Sequence, residues 1–150
     1  MKKYTAVQVA KFVITCAMKD NDPVTPLKLQ KLLFYLWAEV YHKESTYLFN
    51  DLIYAWQFGP VVVTVYNRFC MNGGMPIRDT YDDIGIAKTD ESELREILNR
   101  YMKYSAGELV ELTHKPGMAW DKVYKNGAGD HQPIDFDLII KNDCQYLPHD

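Results

Sequence analysis

The sequence predicts a mainly α domain, with several helices packed around a central one at about residues 26–42 and a small β-hairpin at about residues 46–57. Three observations carry this. Apolar residues recur at helical spacing over most of the chain. Two helix starts are spelled out, Thr25-Pro26 and Ser105 with Glu108 three residues on. One interval, residues 45–56, consists of short β-prone runs around turn residues. With 150 residues, 47% of them hydrophobic and 13% aromatic, one domain over residues 1–150 can bury roughly 68–70% of the surface its unfolded chain exposes. No disulfide or metal staple is required.

Between Tyr4 and Lys19 the polar residues Gln8, Lys11, Thr15 and Lys19 fall at helical spacing among apolar ones, which predicts a helix with one narrow wet stripe. Thr25 can cap a second helix, because its hydroxyl accepts a free N–H and Pro26 has none to lose. That helix carries a polar stripe of Lys28, Lys31, Tyr35, Glu39 and His42. Leu29, Leu32, Leu33, Leu36 and Val40 form a core face, and Gln30, Phe34, Trp37 and Tyr41 form an aromatic stripe headed by an amide. Apolar over most of its surface, it must be contacted from several sides and is the predicted central helix.

Tyr47-Leu48-Phe49 and residues 52–56, separated by Asn50-Asp51, predict the hairpin. After Gly59-Pro60 the valines of residues 61–65 favour strand by propensity. The spacing of Val62, Val65, Tyr66 and Phe69 nevertheless predicts a helix that ends at Asn72-Gly73-Gly74. Residues 75–88 read as a loop with one short strand. Acids at 90, 91 and 93 open an amphipathic helix through Leu94, Ile97, Leu98, Tyr101 and Met102. The box Ser105–Glu108 opens another, carrying Leu109, Val110 and Leu112 to His114. A turn around Trp120, a loop over residues 125–133 and a last helix capped by Asp135 complete the chain.

The net charge of −3 lacks the basic signature of a nucleic-acid-binding domain. Only the first third is mildly basic, and Lys28 and Lys31 after a turn imitate a DNA-reading helix. Such a helix exposes one broad polar face, however, and this one is apolar over most of its surface, so a solvated stripe is the better reading. Cys16, Cys70 and Cys144 contain no Cys-x-x-Cys pair, which suits a reducing compartment. Lys11 interrupts the N-terminal apolar stretch well short of the ~20 residues a membrane span needs. A cytoplasmic protein is expected. His42, His114, His131 and His149 form no metal-ligand pair, and Gly127-Ala128-Gly129 is only half of a dinucleotide motif. Neither a cofactor nor enzymatic activity is expected. An enzyme built on His114 would require it in an open cleft beside an acid or a thiol.

Four stretches fit together as no catalytic motif does. Residues 27–35 read LKLQKLLFY; Phe49 precedes residues 55–61, AWQFGPV, which lead to Val65-Tyr66; residues 112–114 read LTH, with Trp120 following; and Ile134 opens the last helix. In this order, from about Val24 to Leu138, they closely resemble the Panacea domain. This SocA-like family occurs in bacterial and phage toxin–antitoxin pairs and in proteins described as phage-associated. Many relatives place a proline directly before the tryptophan, whereas here residues 115–120 read KPGMAW.

The resemblance implies an antitoxin that neutralises the protein toxin encoded beside it by direct binding. One member of the family looks instead like an adaptor delivering its toxin to the ClpXP protease. Members often carry a DNA-binding domain ahead of the Panacea region, and none is expected in the roughly two dozen residues that precede the first motif. The alternative reading is a DNA-binding regulator of its own operon acting through Lys28 and Lys31.

The family-motif residues are Gln30, Lys31, Tyr35, Trp56, Gly59, Pro60, Tyr66, Thr113, His114 and Trp120. Gln30 should be a buried amide paired with backbone near Gly59 or with His114. Phe34, Trp37, Tyr41, Trp56, Tyr66 and Trp120 are expected in the frame. Tyr47, Tyr81, Tyr104 and Tyr146 are candidates for an exposed recognition surface. A shared partner groove would be lined by Lys31, Tyr35, Trp56, Tyr66 and His114.

Overall fold

The computed structural model describes residues 1–148, so His149 lies outside the described residues. Its helices are α1 (Ala6–Lys19), α2 (Pro26–Glu44), α3 (Val63–Phe69), α4 (Lys88–Met102), α5 (Ala106–Thr113), α6 (Ala119–Tyr124) and α7 (Phe136–Lys141). The strands are β1 (Ile53–Trp56), β2 (Gly59–Val62) and β3 (Gln132–Ile134), in the sheet order β2-β1-β3.

Local chemistry sets the helix ends. Thr5 and Gln8 cap α1 reciprocally, and Asp51 accepts the Ala6 N–H at 3.0 Å. Thr25 caps α2 through the Lys28 N–H at 3.2 Å, and Ser45 ends it in the left-handed region at φ 55°. The predicted box Ser105–Glu108 caps α5, and Asp135 caps α7. Helix α2 is the central helix. Every residue from Leu29 to Val40 is buried, against α1, α4, α5, β2 and the C-terminal turn. Each buried leucine on it contributes about 1.5–3 kcal/mol relative to exposure.

Three expectations are corrected around the sheet. The hairpin lies further along the chain, since β1 pairs antiparallel with β2 from Ile53↔Val62 to Trp56↔Gly59 around Gln57-Phe58. Leu48 and Phe49 are buried but form no strand. Their carbonyls accept the Tyr4 N–H at 2.9 Å and the Trp37 indole N–H at 3.1 Å. The valine run is divided, with β2 taking Val61 and Val62 before α3 begins at Val63. Here β propensity prevails for as long as β1 offers a ladder, and the helical period prevails afterwards.

The third strand falls in the predicted loop. β3 pairs with β1 despite Pro133, as a sheet edge allows. Gly129 makes the approach to it possible, because a Cβ there would stand 1.8 Å from the Val123 carbonyl oxygen.

Residues 75–88 contain no strand. They are pinned instead by single bonds, from Ile77 N–H to Val24 O at 2.8 Å and from Tyr81 N–H to Thr15 Oγ1 at 3.0 Å. Thr15 therefore leaves the predicted wet stripe of α1 and is buried.

The polar stripe of α2 is corrected more severely. Lys31, Tyr35 and Glu39 are buried, and the Tyr101 hydroxyl on α4 donates to Glu39. Lys28 is half-buried and donates to the Met102 carbonyl at 2.9 Å. Helical spacing marks residues as polar but cannot report that α4 and α5, some 60–80 residues later, pack over them.

Candidate functional site

The outer edge of β2 is closed by side chains of α2. Gln30 Oε1 accepts the Val62 N–H at 2.8 Å and Gln30 Nε2 donates to Val62 O at 3.2 Å, so one amide replaces a neighbouring strand. This fulfils the expectation that the buried amide pairs with backbone near Gly59, and His114 is not its partner. Lys31 Nζ donates to Pro60 O at 2.9 Å, and Pro60 has no N–H to satisfy. An edge that could recruit a foreign strand is thereby occupied.

Gly59 permits this approach. Its φ is +111°, and a Cβ there would stand 2.8 Å from Thr113 Oγ1 and 2.9 Å from Lys31 Cε. Thr113 is buried, and its hydroxyl donates to Val110 O at 2.7 Å. His114 lies flat on Trp120, with centroids 3.7 Å apart and planes 4° from parallel. Trp120 Nε1 donates to Trp56 O at 2.7 Å. The position of Trp120 is set by Asp143, which accepts the Ala119 N–H at 3.0 Å. Burial nevertheless pushes the Asp143 carboxyl up to about 6.

In front of this lattice lies a groove of about 420 Å³. Gln30, Lys31, Trp56 and Tyr66 line it together with Pro26, Leu27, Phe58, Val61, Gly73 and His131. Trp56 meets Tyr66 edge to face at 4.8 Å and stacks on His131 at 4.4 Å. The rim is apolar and open. Phe58 is 57% exposed, Tyr66 40% and Leu27 37%, while Met71 and Met75, two positions either side of Gly73, are 94% and 69% exposed.

Of the five residues predicted to line a groove, Lys31, Trp56 and Tyr66 do so, whereas Tyr35 and His114 are not among its walls. Tyr35 is buried and stacked on Tyr101 at 4.8 Å, and burial holds its hydroxyl far above the ordinary tyrosine range. The His114 imidazole is pushed down, first by burial and then by the Lys31 charge, and its buried Nε2 has no hydrogen-bond partner.

Sequence reasoning missed Leu27 and Phe58 in the groove, and the exposed Met71 and Met75 either side of Gly73. The available signal was Phe58 beside Gly59-Pro60, a bulky residue at a corner.

Two expected frame residues, Trp56 and Tyr66, thus belong to the groove. Conversely, Tyr47 leaves the predicted recognition surface and packs against Trp37 at 5.4 Å and Phe136 at 5.0 Å. Tyr81 and Tyr104 are half-buried, and Tyr146 is exposed.

The three cysteines are free thiols. Burial pushes the Cys144 thiol up to about 12 and raises that of Cys16. No group of three His, Cys, Asp or Glu side chains among the described residues is placed to hold a metal ion. No helix among them is long and apolar enough to cross a membrane.

A family model described as "Antitoxin SocA-like, Panacea domain" matches residues 29–121. Antitoxin SocA of Caulobacter vibrioides (strain NA1000 / CB15N) is 30% identical over 149 residues, covering 89% of this chain and 79% of that protein. No solved structure matches.

Proposed function

This chain belongs to the SocA-like, Panacea-domain antitoxin family, and from that premise we propose that it neutralises a toxin encoded beside it by direct protein–protein binding. One observation carries the reading. The family-motif residues Gln30, Lys31, Trp56 and Tyr66 converge on a groove that exposes Leu27, Phe58 and Tyr66, with the exposed Met71 and Met75 two positions either side of its wall residue Gly73. Isolated exposed apolar side chains are ordinary, but a cluster around a concave wall is the usual mark of an interaction site. Aromatic anchors with adaptable methionines suit a protein partner. A stable complex would bury roughly 1,200–2,000 Å² in all, with the groove near its centre.

The proposed action is not enzymatic. His114 is stacked under Trp120 rather than presented in a cleft, and the thiols of Cys16 and Cys144 are buried. DNA reading through Lys28 and Lys31 is not part of the proposal, because one lysine is sealed and the other is committed to Met102. Delivery of the toxin to ClpXP is a variant of the same binding step, and toxin half-life with and without this protein separates the two.

The test is co-expression with each adjacent open reading frame. Growth rescue together with co-purification of the toxic product is expected. Toxicity that persists for every neighbour, with no complex recovered, would overturn the proposal.

A further inference from the structure

Lys31 is the anomaly of the site. It lines the groove yet is 0% exposed, and its ammonium, which carries three donors, is bonded to one acceptor, the Pro60 carbonyl at 2.9 Å. Among the described residues no carboxylate forms an ion pair with it. The acid on the groove wall, Asp130, is exposed and sits on its own neighbour, at 3.0 Å from His131 Nδ1. Burial alone pushes the Lys31 ammonium down to about 7, with no acid to restore it.

Support of the β2 edge does not require a cation there, since Gln30 beside it supports the same strand with a neutral amide. A buried, uncompensated charge is costly. It also projects a positive field through the low-dielectric wall toward the groove in front of it.

We propose that the groove receives an acidic residue carried beside a bulky apolar one on an exposed segment of the protein partner. The carboxylate supplies the missing counter-charge of Lys31, and the apolar neighbour lies against Leu27, Phe58 and Tyr66. The flexible lysine stem lets the ammonium turn from the Pro60 oxygen toward the incoming carboxylate. The partner's identity rests on the antitoxin reading; the chemistry of the groove does not.

The experiment titrates the full chain with two capped peptides, acetyl-Leu-Phe-Asp-amide and acetyl-Leu-Phe-Asn-amide, followed by backbone amide NMR shifts. In the wild type the Asp peptide should bind about tenfold more tightly, as expected for one charge-assisted hydrogen bond to a desolvated group. Lys31→Met should abolish the preference. Lys31→Gln, which keeps a donor for Pro60 without the charge, should do the same and serves where the methionine variant fails to fold. Phe58→Ser, at an exposed position, should weaken both peptides by a similar factor.

Equal affinities in the wild type, no binding of either peptide, or an acid preference that survives loss of the lysine would each overturn the proposal. Neutralisation of the neighbouring toxin is scored separately. A toxin that is bound and neutralised while the two peptides behave alike refutes the groove chemistry and leaves the antitoxin reading standing.

Discussion

The strip of α2 that faces β2 and the rim of the groove lie side by side and follow opposite rules. In the strip, Gln30 and Lys31 are sealed, as is Thr113 on α5, and each holds a backbone carbonyl. At the rim, Leu27, Phe58 and Tyr66 leave large apolar surface to water, as do Met71 and Met75 two positions either side of the wall residue Gly73. A change in the strip unpairs buried polar groups and is felt as lost stability. A change at the rim removes surface that the folded chain does not need. The motif that reveals the family therefore describes mainly how the groove is built, and the rim beside it is the surface proposed to meet a partner.

Substitutions can break this contrast, and the largest effect is expected at the corner of the hairpin. Gly59→Ala places a Cβ 2.8 Å from Thr113 Oγ1 at a φ of +111°. It should cost about 3 kcal/mol or more in urea unfolding, or prevent folding. Gln30→Leu leaves the Val62 N–H and carbonyl unpaired and buried. About 2–4 kcal/mol is the expected loss by the same measurement.

The third effect depends on pH. The Lys31 ammonium lies at about 7 in the folded chain, below its ordinary value of 10.5. Between these values the unfolded chain binds more protons, so stability rises with pH across that window, and the penalty is full below about 7. Relative to Lys31→Met, the wild type should gain up to about 1.4 kcal/mol per pH unit between pH 7 and 9.5. Parallel pH profiles of the two proteins would show that the lysine is not desolvated as described. The smallest effect on stability is expected at the rim. Phe58→Ser and Met71→Ser should each stay within about 0.5 kcal/mol of wild type in thermal melts.

Local signals made the scaffold legible. Thr25-Pro26, Ser105 with Glu108, and Asp135 each mark a helix start with an atom that accepts a specific N–H, and all three are used. Non-local packing hid the rest. Lys31, Tyr35 and Glu39 read as a wet stripe because periodicity records polarity, while their burial is imposed by α4 and α5 from far along the chain. β3 was illegible for the same reason, since Gln132-Pro133-Ile134 has no strand character of its own and is held by β1. Gln30 was readable as a buried amide, because an amide heading an aromatic stripe must find partners. The rim was not, because Phe58 belongs to no pattern and gains meaning only from the concavity it borders.

The central claim is that the open rim, and not the sealed strip, meets the toxin. The most direct test is the affinity of the purified neighbouring toxin for the Leu27→Ser/Phe58→Ser double variant, measured by titration calorimetry on protein whose melting temperature matches wild type. A loss of about 100-fold or more is predicted, as for two central anchors of an interface. Wild-type affinity in the folded double variant would contradict the claim and place the interface elsewhere.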